Sequence, residues 1–179
     1  PRLARSRSAR APHTIAAAAD DIAAILDPSI AAIAGHSFGG KVMLAVRARA
    51  PATLRQTWMF DASPSPNPGA AQDPDNSVAR VLALMERLPK TWAKREDFVA
   101  AVIADGHAPA LASWLAMNVV PDASGALALR LDLPAIRAML DSYYASDLWP
   151  IALDPELPGT LEVVIADRSN TIDAAARAR

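Results

Sequence analysis

The sequence predicts an α/β fold in which a helical block interrupts a parallel sheet. Three observations predict it. A short apolar run at residues 30–34 stops at Gly35, a helical pattern follows, and a second strand-like run covers 56–61. Strand, helix, strand in that order is a βαβ unit, whose crossover makes its two strands parallel. A stretch of roughly 95 residues with mostly helical patterning then precedes a third apolar run at 161–166. Finally, 52% of the 179 residues are apolar and 21% charged, enough to bury a core, and the apolar share is largely alanine, which favours helix.

Each element has its own signal. Thr14 can cap a helix in which Ile15, Ile22, Ile25 and Leu26 recur at helical spacing, and Pro28 ends it. The run at 30–34 reads as a buried strand. Residues 38–50 read as a helix closed by Pro51; Lys41, Arg47 and Arg49 are nearly its whole polar face, so it should be largely buried. The run 56–61 leads into a proline-punctuated loop, 61–69. Helical stretches follow at about 77–87, 94–105, 109–118 and 134–144, with 126–130 as the one strand-like run among them. The strand at 161–166 leads to a helix starting near Ile172. The chain therefore divides into a partial core at 1–61, a helical insertion at 62–158 and a return to the core at 159–179.

Composition excludes several functions. The chain has no cysteine, so a disulfide framework, a Cys-ligated zinc, an iron–sulfur cluster and a thiol nucleophile are all out. Its three histidines, His13, His36 and His107, lie apart, against a histidine metal site. A net charge of −1 gives no reason to expect nucleic acid as a partner. No apolar run approaches the roughly 18 residues that a membrane helix needs, so no membrane partner and a cytoplasmic location are expected. The first ten residues carry four arginines and no acid. They read as a leader or nucleic-acid arm, as a solvated loop, or as the point where a longer protein has been entered.

Gly35-His36-Ser37-Phe38-Gly39 matches G-x-S-x-G, and Gly40 extends it. Its setting, between a buried strand and a helix, is the one a nucleophile elbow requires. The chain must turn sharply there and hold the serine in a strained conformation with its Oγ exposed. Residues two before and two after it, Gly35 and Gly39, must lack bulk. The following helix aims its N–H groups at the reaction centre, and the Phe38 N–H would be an oxyanion donor. Two other readings use the same letters. Gly35 to Lys41 fits the phosphate-binding G-x-x-x-x-G-K until Val42 stands where Ser or Thr should supply a hydroxyl to Mg²⁺. A tight glycine turn with Ser37 as an ordinary cap is the simplest reading.

A nucleophilic serine needs a base and an acid to orient it. Asp61 closes the strand after the elbow helix, on the sheet edge where Ser37 should lie. Asp167 stands equivalently after the third strand. The base is harder to find. His107 is the one histidine after Asp61 and falls in a turn of the helical block; His36 precedes Ser37 and cannot turn back to it; His13 lies far upstream. Trp92, Trp114, Met117, Tyr143, Tyr144 and Trp149 are candidates either for an acyl pocket or for plain core.

The elbow, with the strand ending in Phe60-Asp61-Ala62-Ser63-Pro64, resembles the α/β-hydrolase superfamily. More narrowly it is similar to small bacterial acyl-ester hydrolases and their mitochondrial relatives, with a G-H-S-M-G-G-K elbow and a D-I-S/A-P segment. Residues 114–118, 133–140 and 147–150 look like parts of the helical cap in that group. The resemblance implies a mostly parallel sheet whose strands five, six and seven are the three runs found here, with the cap inserted after strand six. It implies hydrolysis of carboxylic esters or thioesters by Ser37, with Asp61 as the acid and the Phe38 N–H in the oxyanion hole. A small-molecule acyl ester would be the partner, with no cofactor and no metal. Asn170 stands where relatives using the later acid site carry Asp, which favours Asp61. Relatives also carry strands and an H-G oxyanion loop before the helix near Thr14, and a G-x-x-H segment after the last strand. On that comparison the chain is expected to be the middle of a longer hydrolase, inactive by itself. A hydrolase fold used only for binding is the alternative.

Overall fold

A computed structural model describes residues 11–167, 169 and 171–179. The readings of the arginine-rich first ten residues and of Asn170 lie outside the described residues. In chain order the elements are α1 (Ile15–Ile25), β1 (Ala32–His36), α2 (Phe38–Arg47), β2 (Gln56–Phe60), α3 (Ser77–Arg87), β3 (Thr91–Trp92), α4 (Arg95–Ala104), α5 (Pro109–Leu115), β4 (Val119–Pro121), β5 (Leu127–Leu129), α6 (Leu133–Ala145), α7 (Trp149–Ala152), β6 (Thr160–Val164) and α8 (Ala174–Arg177). They form two compact units, one from the residues up to Ala71 together with Ala138–Arg179, the other from Gln72–Arg137.

The first unit is α/β, on a parallel three-stranded sheet ordered β1-β2-β6. The register is unbroken, and its last row aligns His36, Phe60 and Val164. All three strands therefore release the chain at one edge, the carboxyl edge of a parallel sheet, where functional side chains collect. Ile33, Thr57 and Met59 are buried, and share one face because side chains alternate along a strand. Leu44, Val46, Leu54 and Met59 are all but fully enclosed, each contributing about 1.5–3 kcal/mol of burial.

Helix α2 is buried on nearly every side, as its apolar sequence predicts. Of the three polar residues expected on it, Arg49 lies beyond the helix end and is exposed, and the two inside it are buried. Lys41 is 1% and Arg47 5% exposed. Arg47 gives its guanidinium to the carbonyls of Leu157, Pro158 and Gly159, at 2.9 Å for the last. Backbone acceptors thus stand in for water, as a buried cation requires. The sheet, by contrast, leaves Phe60 and Val164 37% and 42% exposed.

The second unit holds more strand than its patterning suggests. Beside the expected run near 127–129, β3 and β4 complete an antiparallel sheet ordered β3-β5-β4. Two- and three-residue strands are too short to show a period of two, so they leave no trace in a hydrophobic pattern. The helices are longer, and all four predicted stretches fold as helices within a few residues of the expected bounds.

Candidate active site

The site begins at the last row of the parallel sheet. The Ser37 N–H donates to the Phe60 carbonyl at 3.0 Å, and the Asp61 N–H donates to the Val164 carbonyl at 2.7 Å. Each bond extends the ladder one step beyond its strand. Ser37 and Asp61 thus leave the sheet side by side, one strand spacing or about 4.8 Å apart in backbone. Ser37 (φ 52°) and Asp61 (φ 49°) are also the two non-glycine residues with positive φ among the described residues. Such backbones cost of order 1–3 kcal/mol and persist only where the surroundings enforce them.

At Ser37 the enforcement is visible. A Cβ on Gly35 would lie 2.1 Å from the Gly39 carbonyl oxygen, and one on Gly40 would lie 2.6 Å from the Ala62 Cβ. The turn closes only because Gly35 has no side chain. The crowding is one-sided, however: a Cβ on Gly39 would meet nothing within 4 Å. Gly39 contributes its backbone to the close approach, and the second glycine whose bareness matters is Gly40, which lets helix α2 lie against the segment after Asp61.

Ser37 occupies the N-cap of α2 with ψ −118° and makes no side-chain capping bond. The ordinary-cap reading of this serine therefore does not hold. Its side chain is exposed. The N–H groups of Phe38 and Gly39 have no hydrogen-bond partner among the described residues, leaving donors of the first turn directed at whatever sits beside Ser37.

Asp61 is half-buried, and its Oδ1 is a buried oxygen with no hydrogen-bond partner among the described residues. A carboxylate oxygen kept dry and unpaired costs about 1–3 kcal/mol or more, so it points to a donor that the site expects. The chain after it is closed in: Ala62, Ser63 and Pro64 are buried. Asp167 is exposed, three residues beyond the end of β6. The site brings Asp61 to Ser37 and leaves Asp167 off the aligned row.

Tyr143, from the C-terminal half of α6, lines the same region. Its ring stacks on Phe38 with centroids 6.0 Å apart. Burial raises its hydroxyl above the usual tyrosine range, helped by Tyr144 and by the charge of Asp61. Lys41 lies beneath the ring, its Nζ 4.6 Å from the centroid. That ammonium donates to the carbonyls of Ser65 at 2.9 Å, Tyr143 at 2.7 Å and Ser146 at 3.0 Å. With all three donors committed, it cannot serve as a phosphate-binding lysine, and the nucleotide-loop reading falls. The sequence named Lys41 as a polar residue of its helix and as the lysine of the phosphate loop, not as an ammonium bound by carbonyls, and it did not single out Ser65.

No histidine of the first unit pairs with Ser37 or Asp61 among the described residues. His36 ends β1 with an exposed side chain, and strand alternation turns it away from its neighbour Ser37. His13 precedes α1. His107 lies in the second unit, its buried Nε2 3.5 Å from Asp105. Of the candidate pocket aromatics, Trp149 is buried and donates from Nε1 to Ser65 Oγ at 2.9 Å. Trp92 packs edge-on against Phe98 at 5.3 Å. Trp114 and Met117 are 62% and 72% exposed, so they are not core. Among the described residues no group of three or more acidic, His or Cys side chains could hold a metal, and no helix is long and apolar enough to cross a membrane.

No protein-family model and no curated protein matches the chain. Among solved structures it is similar to one titled marine microorganism esterase, with a TM-score of 0.67 and 16% identity over 82% of this chain. The chain spans about 55% of the length of that structure. At this identity the likeness is one of fold alone.

Proposed function

We propose that the protein is a serine hydrolase of the α/β-hydrolase fold that cleaves carboxylic esters or thioesters through an acyl-enzyme on Ser37. One observation carries the reading: among the described residues the two strained non-glycine residues stand side by side at one sheet edge, the serine's hydroxyl making no capping bond and the carboxylate's Oδ1 buried without a donor. In this mechanism Ser37 Oγ attacks the acyl carbon and its proton passes to a general base. The carbonyl oxygen, now negative, takes the Phe38 N–H at the start of α2, where the helix dipole also favours it. The leaving alcohol or thiol departs with the proton, and water repeats the sequence on the acyl-serine. Asp61 orients the base, a histidine from outside these 179 residues, by accepting its ring N–H at Oδ1. Of the expected insertion, residues 62–71 and 138–158 belong to the unit that carries Ser37 and Asp61, and in this reading they set which acyl groups enter. The esterase title of the similar structure supports the same reaction class.

A second reading, a hydrolase fold used only for binding, is favoured by one fact: the histidine at this edge, His36, is turned away from Ser37 along its strand, and Asp61 Oδ1 has no donor among the described residues. Turnover of nitrophenyl acyl esters separates the two. The hydrolase reading expects turnover in the full-length protein, which supplies the base, and none in its Ser37→Ala variant. Equal turnover in both would sink it, and specific ester binding without turnover would establish the alternative.

A further inference from the structure

The carbonyls that Lys41 binds come from two segments flanking the Ser37–Asp61 edge. Ser65 lies four residues after Asp61 in the loop that leaves β2. Tyr143 and Ser146 lie at the C-terminal end of α6, where the last carbonyls of a helix lack intrahelical partners and favour a cation. The other carbonyls there are taken up as well. Ser142 accepts from the Ser146 N–H at 3.0 Å and its Oγ at 2.6 Å, and Tyr144 accepts from the Asn67 N–H at 2.7 Å. Further stitches join the same two segments: the Leu148 N–H donates to the Pro64 carbonyl at 2.9 Å, and Trp149 Nε1 to Ser65 Oγ. Lys41 sits where they meet, 1% exposed, on the helix that Ser37 begins.

We propose that Lys41 is a positioning residue for the reaction: by tying Ser65, Tyr143 and Ser146 to the elbow helix, its ammonium holds the Asp61 loop and the Tyr143 ring in register with Ser37 and the Phe38 N–H. A lysine needed only for packing would not require three carbonyls from two separate segments. A neutral side chain of the same length would fill the space and leave the loop and the helix end unattached. Burial pulls the lysine down to about 8, with the nearby charge of Asp147 opposing. The three carbonyl acceptors favour the ammonium further.

The inference rests on the hydrolase reading of Ser37 and Asp61, and its test separates the two. Lys41→Met keeps the stem and removes the donors. In the full-length protein, active sites are counted with a fluorophosphonate, turnover per labelled site is measured with a nitrophenyl ester, and amide exchange is followed along the chain. The expected result is a fall in kcat per site of tenfold or more with KM within twofold, and faster exchange confined to 62–67 and 142–149. Trp149→Phe removes only the Ser65 Oγ stitch and should fold in any case; it should move kcat the same way by a few-fold. Because the chain has no cysteine, Lys41→Cys can be alkylated with bromoethylamine while unfolded, restoring an ammonium of nearly the same reach; kcat should recover. Fewer labelled sites at unchanged kcat per site, or unaltered exchange in both segments, would overturn the proposal. A wild-type protein that takes no label defeats the hydrolase reading alone, and the exchange pattern then decides whether Lys41 holds these segments.

Discussion

Helices α1 and α2 pack on one another and begin in opposite ways. At the start of α1, Thr14 sits in ordinary extended backbone and its hydroxyl accepts from the Ala17 N–H at 3.1 Å. The Ile15 N–H finds Ser142 Oγ at 3.0 Å. Asn76 and Asp173 cap α3 and α8 by the same use of a side chain. At the start of α2, Ser37 has a side chain equally able to cap, but its backbone is turned to φ 52° and no capping bond forms. One helix uses its N-terminal polar groups for its own stability. The other forgoes that stabilisation, of order 1 kcal/mol, carries backbone strain, and keeps both the hydroxyl and the first N–H groups for something else. Helices α4, α5 and α7 also start without a side-chain capping bond, on Lys94, Ala108 and Leu148; Ser37 differs from these in carrying a capping-type hydroxyl and withholding it, and such a departure from a local rule marks a candidate functional position.

Substitutions that exchange the two behaviours break or sharpen this contrast. The largest effect belongs to Ser37→Ala, which should lower ester turnover by roughly 10⁴-fold or more, as loss of a serine nucleophile does, while the melting temperature stays within a few degrees. Asp61→Asn follows, with a loss of about 10³–10⁴ in kcat and retained circular dichroism; Asp167→Asn should stay within twofold, and the reverse ranking would move the acid to the later strand. Gly35→Ala drives a Cβ into the Gly39 carbonyl, and should cost about 3 kcal/mol or more, the upper end for overpacking, read as a drop in the urea midpoint; Gly39→Ala should cost far less. The smallest pair is the most direct comparison. Thr14→Ala should cost about 1 kcal/mol and leave turnover per site unchanged, whereas Ser37→Gly should gain about 1 kcal/mol by relieving the positive φ and abolish turnover. Chemical denaturation of the two variants side by side reads both signs.

The legible parts of this molecule were those whose signal is local. The βαβ order, the four long helices and the G-x-S-x-G turn each reside in a contiguous stretch, and the pairing of Ser37 with Asp61 at one edge follows from strand order once the crossover is recognised. What escaped is non-local or short. The strands β3 and β4 hold two and three residues, below the length at which alternation can appear. The roles of Lys41 and Arg47 depend on carbonyls 24 to 112 residues away, and a cation on an apolar helix reads as a wet face until its acceptors are located. Gly39 and Gly40 are identical as letters; only the direction of the missing Cβ shows that Gly40 is the crowded one.

Peptide mapping of the fluorophosphonate adduct tests the central claim most directly. A single adduct on Ser37 of the full-length protein, absent when the protein is denatured before labelling, is the predicted result. An adduct on any other serine, or ester turnover that continues while Ser37 remains unmodified, would contradict it.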